Sequence, residues 1–160
     1  MYRLINSILF ILLLSLTSSL YAVQTKNDIS TFEELFSNWT YSFNHKDISK
    51  TCGLFSTNVI ANYQGIPQKN YSSICNGFRK IFKEKHRKYQ YKFKLHNIYH
   101  SQNLAAVRIT WYLYVYENNK QISVTQDEGI DILEKNKQGK WQIINYLAYE
   151  NQTLTKIKKQ

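Results

Sequence analysis

From residue 88 to residue 150, polar and apolar side chains alternate with few interruptions. A period of two residues places successive side chains on opposite faces of a β-strand. The polar connections SQN, NNK and NKQGK divide this region into the segments KYQYKFKLHNIYH, LAAVRITWYLYVYE, QISVTQDEGIDILE and KWQIINYLAYE. The pattern therefore predicts a meander of four antiparallel strands, each with one face on the core and one in water.

The first of these segments interleaves aromatic and basic residues, and the chain has a formal net charge of +10. Basic and aromatic side chains together are typical of proteins that bind single-stranded nucleic acid, but the rings must then be exposed for stacking on bases. Strict alternation turns Tyr89, Tyr91 and Phe93 towards the core and the lysines towards solvent. We therefore expect a half-buried strand and no nucleic-acid partner.

The preceding region carries helical patterns. Ser30 or Thr31, followed three residues later by glutamate, predicts a capping box at the start of a first helix. Asp47 predicts the cap of a short second helix through ISKTCGLF, and an apolar stripe predicts a third helix over roughly 71–86. TNVIANY predicts one early strand and QGIP a turn. Helices segregated from an antiparallel sheet indicate an α+β fold.

The first 22 residues, MYRLINSILFILLLSLTSSLYA, combine one positive charge, a short apolar run and a small residue at the end. This layout is typical of a secretory signal peptide cleaved after Ala22. It predicts a single domain over residues 23–160 that is periplasmic or secreted and leaves the membrane after cleavage. A retained N-terminal anchor is the alternative.

Two cysteines, Cys52 and Cys75, would meet an oxidising compartment after export. An even cysteine count there indicates a disulfide, which would stabilise the fold by about 3 kcal/mol. Free buried thiols and a catalytic cysteine are the alternatives. The cysteine and histidine spacings do not match a metal site, so no metal or cofactor is expected.

The order of elements from SFNHKDISKTCGLF onward is similar to a known family. An amphipathic helix ends in Phe-Asn, a short helix closes on Leu-Phe, and a strand, a third helix and four long strands follow. The chain resembles the SnoaL-like and ketosteroid-isomerase-like branch of the nuclear transport factor 2-like superfamily. The resemblance implies a cone, in which a strongly curved antiparallel sheet wraps around three N-terminal helices and a pocket opens at one end.

Family roles carried over by position match this chain in part. The resemblance puts Trp39 where the isomerases have an oxyanion tyrosine, Tyr63 where they have the carboxylate base, and Asp131 where they have a protonated acid. Asp127 shares the strand face of Asp131. Because the base carboxylate is missing, the chain is not expected to be a ketosteroid isomerase.

Three classes of function remain open after this comparison. The first is binding of a small, mostly apolar molecule in an aromatic cone lined by Trp39, Tyr63, Phe78, Phe93, Trp111 and Asp131, with Asp127 nearer the mouth. The second is an acid–base enzyme of isomerase, cyclase or hydrolase type that uses Asp131 with Tyr63 or Asp127. The third is a non-catalytic module for protein association. We favour binding, and we expect a homodimer through the outer sheet face at Tyr112, Tyr114 and Tyr116.

Overall fold

The computed structural model describes residues 29–150. The predicted signal peptide and its cleavage site after Ala22 lie outside these residues. The described residues fall into two units, residues 29–34 and residues 35–150. Residues 29–34, the described part of the first unit, are helical, and the contacts given below all belong to the second unit.

Three helices and six strands make up the described chain. Helix α1 covers residues 29–44, α2 covers Ile48–Gly53 and α3 covers Tyr71–Lys83. The strands are β1 Phe55–Tyr63, β2 Ile66–Lys69, β3 Arg87–His100, β4 Leu104–Glu117, β5 Lys120–Lys135 and β6 Trp141–Glu150. The predicted α+β class and the four-stranded meander are confirmed. None of the helices in residues 29–150 has the length and apolar character needed to cross a bilayer.

The strands form one sheet in the order β2-β1-β6-β5-β4-β3. The meander strands β3 to β6 pair antiparallel, as the short turns require. The pairing of β1 with β6 is parallel, with Phe55 beside Ile143 and Tyr63 beside Ala148. The sequence predicted antiparallel pairing for the meander strands but no partner for β1, because the choice of that partner is not encoded in the pattern of β1 itself.

The predicted QGIP turn is shorter in the structure. Gln64 and Gly65 make the turn, with Gly65 at a positive φ of 76°. Ile66 and Pro67 already belong to the edge strand β2. An edge strand tolerates proline because it needs no hydrogen bond on its outer side.

The sheet is curled and remains open, with β2 and β3 as its edges. Its pairing register shifts between Leu95 and Asn97, between Val115 and Tyr116, and between Ile132 and Leu133. Such bulges bend a strand and increase its twist. The bends give the inner face the concave surface on which the helices pack.

Helix α1 packs on this inner face through the stripe Phe36, Trp39 and Phe43. The ring centroids of Phe36 and Trp111 are 5.6 Å apart, and those of Trp39 and Trp111 are 4.9 Å apart. The Trp39 indole N–H donates a hydrogen bond of 2.8 Å to the carbonyl oxygen of Thr51. This buried hydrogen bond fixes the Trp39 indole against α2.

Helices α2 and α3 are joined by a disulfide between Cys52 and Cys75, whose Cα atoms are 5.7 Å apart. Both cysteines are buried. The bridge predicted from the cysteine count is therefore present, and it holds α3 against the segment that leads into β1.

Candidate functional site

The inner face of the curled sheet and the helices enclose a cavity of about 240 Å³. Most of its wall is aromatic or aliphatic. The aromatic lining residues are Trp39, Phe55, Tyr63, Phe78, Tyr91, Trp111 and Tyr146. Side chains alternate along a strand, and Trp111 on the apolar face of β4 pairs with Asp127 of β5. Asp127, Gly129 and Asp131 therefore lie on the same face as Trp111 and line this wall.

Asp131 is the most buried charged group of this wall, with 4% of its surface exposed. Its Oδ2 atom has no hydrogen-bond partner in the described part of the chain. Burial raises the pKa of Asp131 to about 7, and hydrogen bonding from the Trp111 indole opposes that shift. The carboxyl therefore changes its charge near neutral pH, inside an aromatic enclosure.

Asp127 lies two residues nearer the start of β5 than Gly129 and accepts a hydrogen bond of 2.6 Å from the Tyr63 hydroxyl. Burial raises the pKa of Asp127, the charge of Glu150 adds to the shift, and the Tyr63 hydrogen bond opposes it. Burial and the neighbouring Asp127 carboxylate raise the pKa of Tyr63 as well, so its phenol stays protonated and acts as a donor.

Small residues make this hydrogen bond possible. Tyr63 of β1 pairs with Ala148 of β6, and Ala148 pairs with Gly129 of β5. A Cβ atom added at Gly129 would overlap the carbonyl oxygen of Leu147 and lie 3.0 Å from the Ala148 Cβ. Because Gly129 and Ala148 carry no large side chain, the Tyr63 ring can extend across β6 towards Asp127.

Tyr146 is a lining residue that sequence reasoning missed. It pairs directly with Asp131 across β5 and β6. Burial and the nearby Asp131 and Asp127 carboxyls raise the pKa of Tyr146 to about 12. The alternation of β6 places Tyr146 on the same strand face as Ala148. That alternation alone does not tell which face of the strand meets a cavity.

Six of the seven predicted site residues line the cavity: Trp39, Tyr63, Phe78, Trp111, Asp127 and Asp131. Phe93 does not, because its ring packs against Phe36 and Trp111 at centroid distances of 5.9 Å and 5.7 Å. Tyr91, one alternation earlier on β3, lines the cavity instead. Within residues 29–150, no group of three histidine, cysteine or acidic side chains could hold a metal ion.

Comparisons with known proteins bear on the fold. No protein-family model and no curated protein sequence matches the chain. Among solved structures, a ketosteroid isomerase-like protein from Erwinia carotovora atroseptica has a TM-score of 0.59 at 15% identity, over 74% of this chain and 92% of its own. A nuclear transport factor 2-like protein of unknown function from Shewanella oneidensis has a TM-score of 0.64 at 15% identity, over 76% of this chain and 98% of its own.

ActVI-ORFA from Streptomyces coelicolor has a TM-score of 0.62 at 8% identity, over 78% of this chain and 98% of its own. These likenesses span most of each structure, whereas the sequence identities are low. The comparisons confirm the resemblance at the level of fold, and they extend to the fold alone.

Proposed function

We propose that this chain, which has the nuclear transport factor 2-like fold, binds a small, mostly apolar molecule in its aromatic cavity. The observation that carries the proposal is Asp131, a buried carboxyl on the cavity wall with an oxygen atom that no described residue satisfies. A buried polar group without a hydrogen-bond partner destabilises a fold by about 1–3 kcal/mol. A ligand that completes its hydrogen bonding would remove this cost.

The wall chemistry supports a ligand that is apolar over most of its surface. Binding sites for small molecules are typically lined by aromatic and aliphatic groups with few polar anchors. Here Trp39, Phe78 and Trp111 supply ring surface, while Asp131 and Asp127 are the acidic anchors. The volume of about 240 Å³ lies below the roughly 300 Å³ at which sites for drug-sized ligands begin, which favours a compact ligand.

Acid–base catalysis in the same cavity is the second candidate. It is favoured by the pKa of Asp131, which burial raises to about 7, close to the value at which a general acid or base works best at neutral pH. In this reading ionised Asp127, held by Tyr63, takes a proton from a substrate carbon atom. Protonated Asp131 then donates a hydrogen bond to the oxygen atom on which negative charge develops.

We place this function outside the cytoplasm. The Cys52–Cys75 disulfide supports this location, because disulfides persist in oxidising compartments. The signal-peptide pattern of residues 1–22 points the same way. An intact mass of protein recovered from its native host that begins at Val23 would agree with export, and a mass that begins at Met1 would contradict it.

A cavity-filling variant tests the binding proposal. Gly77 lines the cavity on α3, and a Cβ atom added there meets no atom within 4 Å. We expect Gly77→Leu to fold normally and to lose any ligand that co-purifies with the wild-type protein, as measured by native mass spectrometry. Asn76→Leu is the matched control, because it adds the same side chain on an exposed part of the same helix.

Asp127→Asn separates binding from catalysis. The amide keeps the shape of the carboxyl but cannot take a proton from a substrate, so turnover would fall by orders of magnitude, whereas binding of a neutral ligand would change a few-fold. If wild-type protein and Gly77→Leu carry the same ligand, or if neither carries any and no small apolar compound changes the fluorescence of Trp39 and Trp111, the binding proposal is wrong. Association with a protein partner would then be the remaining class.

A further inference from the structure

The charge of the cavity differs from that of the chain. The whole chain has a formal net charge of +10. Among the described residues that line the cavity, the charged side chains are Asp127, Asp131 and Lys69. Lys69 is an exposed residue of the edge strand β2, whereas Asp131 is buried. The interior of the cavity is therefore acidic in a basic protein.

Both carboxyls are held as hydrogen-bond acceptors. The Tyr63 hydroxyl donates to Asp127 over 2.6 Å, and the Trp111 indole N–H, which has no acceptor function, interacts with Asp131. Each of these donors stabilises the ionised carboxylate relative to the neutral acid. These two donors oppose the effect of burial, which raises the pKa of both carboxyls, and the Asp131 Oδ2 atom has no donor among the described residues.

Aromatic rings line the cavity together with Asp131. The Trp111 ring centroid is 4.9 Å from that of Trp39 and 5.7 Å from that of Tyr91. A cation within about 6 Å of an aromatic ring is attracted by roughly 0.5–2 kcal/mol, most strongly by tryptophan. Because these rings line the same cavity as Asp131, a positively charged group bound there would be attracted by both the rings and the carboxylate.

We propose that the ligand of this cavity carries an ammonium group, which contacts the Asp131 carboxylate and the ring faces of Trp39 and Trp111. The inference rests on the proposed binding function and names the chemical class of its ligand: a compact amine with an apolar body. The repulsion from the basic outer surface is screened over about 8 Å at physiological ionic strength, whereas the contacts inside the cavity are not.

The proposal predicts how affinity depends on pH. The groups that face Asp131 are Tyr146 from β6, Trp111 from β4 and Asp127 from its own strand, and the lining of α1 and α3 near it, Trp39 and Phe78, is uncharged. Tyrosines stay protonated at neutral pH, so Asp131 is the group that changes its charge there. Amine affinity should rise as Asp131 ionises, because an aliphatic amine itself stays charged up to about pH 10.

Three probes of similar shape test the preference for an ammonium group and its dependence on pH. They are 2-phenylethylamine, neutral 2-phenylethanol and anionic 3-phenylpropanoate, each titrated by calorimetry and by tryptophan fluorescence. At about pH 8 we expect the amine to bind about tenfold more tightly than the alcohol, and the anion to bind most weakly. At about pH 5.5 the preference for the amine should largely disappear, because Asp131 is then protonated.

Asp131→Asn should abolish the preference for the amine at about pH 8 while the alcohol still binds. Glu134→Gln makes the same chemical change at an exposed position of the same strand and should keep the preference. A thermal melt of each variant confirms that it is folded.

Two results would overturn the inference: equal or tighter binding of the alcohol by the wild-type protein at about pH 8, or an amine preference that survives in Asp131→Asn. Either would leave the binding proposal intact. Failure of all three probes also overturns the inference, and the ligand-retention comparison of Gly77→Leu with Asn76→Leu then decides the binding proposal separately.

Discussion

At the scale of single residues, Asp131 is a charged group whose burial costs free energy. Its two strand neighbours, Ile130 and Ile132, gave no indication of burial, and the register with Val107 and Tyr146 decides it. A carboxyl buried among aromatic rings disfavours its charged form. Under the proposed function, a ligand bound at the cavity wall would offset this cost.

Replacing Asp131 by asparagine should stabilise the empty protein in a pH-dependent way. The pKa of Asp131 is raised from 3.8 to about 7 on folding, so between about pH 4 and pH 7 the folded state binds more protons than the unfolded state, and stability falls as pH rises through this range. Above pH 7 the ionised carboxylate is a full cost. Asp131→Asn should therefore unfold with a free energy about 1–3 kcal/mol higher at pH 8, with a gain that shrinks towards pH 4.

Urea unfolding at several pH values checks this, with Glu134→Gln as the control that shifts no pKa of the cavity. A gain that stays constant between about pH 4 and pH 8 would contradict a raised pKa for Asp131.

Two glycines on the cavity wall should respond oppositely to the same substitution. Gly129→Ala should lower the free energy of unfolding by about 1–3 kcal/mol, because the new methyl group overlaps the β6 backbone at Leu147 and the strands must separate. Gly77→Ala should be neutral or stabilising by up to about 1 kcal/mol, since it meets open space and favours the helix. Equal destabilisation by both, measured by urea unfolding, would contradict this close packing of β5 on β6.

At the scale of elements, the position of α3 depends on its connection to α2. Asp47 caps α2 by accepting a hydrogen bond from the Lys50 amide, and Asn70 caps α3 in the same way through Ser73. These caps define where each helix begins, and the disulfide fixes the distance between them. Because α3 contributes Phe78 to the cavity, the bridge also supports the site.

Reduction of the Cys52–Cys75 bridge should lower the free energy of unfolding by about 3 kcal/mol, because it releases a loop with a sequence separation of 23 residues in the unfolded chain. Thermal melts with and without reductant measure the effect. The control is the double variant Cys52→Ala with Cys75→Ala, whose melting temperature should not respond to reductant. A wild-type protein that is equally insensitive would contradict the stabilising role.

At the scale of the whole molecule, the outer face of the sheet presents apolar surface. Ile130 and Leu147 are neighbours across β5 and β6 and are 46% and 61% exposed. On the same face of β4, Tyr112, Tyr114 and Tyr116 are half-buried, and the Lys92 ammonium lies 5.3 Å from the Tyr114 ring centroid. Exposed apolar and aromatic side chains on one sheet face commonly mark an interface.

We propose that this face forms a homodimer. Light scattering at about 50 μM should give the mass of two chains, and Leu147→Lys should shift the protein to monomer, because a charge would be buried without a partner. Tyr41→Lys is the control, because it introduces the same charge at a residue of α1 that is about as exposed as Leu147. A wild-type protein that is monomeric at this concentration would contradict the proposal.

The sequence by itself determined the local features of this protein. Alternation from residue 88 onward defined four strands and the faces of Trp111, Asp127 and Asp131, because side-chain parity is a property of the strand alone. Asp47 predicted the start of α2 and two cysteines predicted the bridge, whereas α1 is already helical at residue 29, before the capping box predicted at Ser30 or Thr31. Parity could not distinguish Phe93 from Tyr91, because both face inward and only the position of α1 determines which ring reaches the cavity.

Tertiary structure decided how these local features combine. The parallel pairing of β1 with β6 brings Tyr63 within hydrogen-bond distance of Asp127, although 64 residues separate them. The burial of Asp131 and the role of Tyr146 likewise follow from which strands pair and how the bulges curl them. Strand pairing depends on packing over the whole core rather than on the pattern of any one segment, so the cavity and the pKa of its acid appear only in the folded chain.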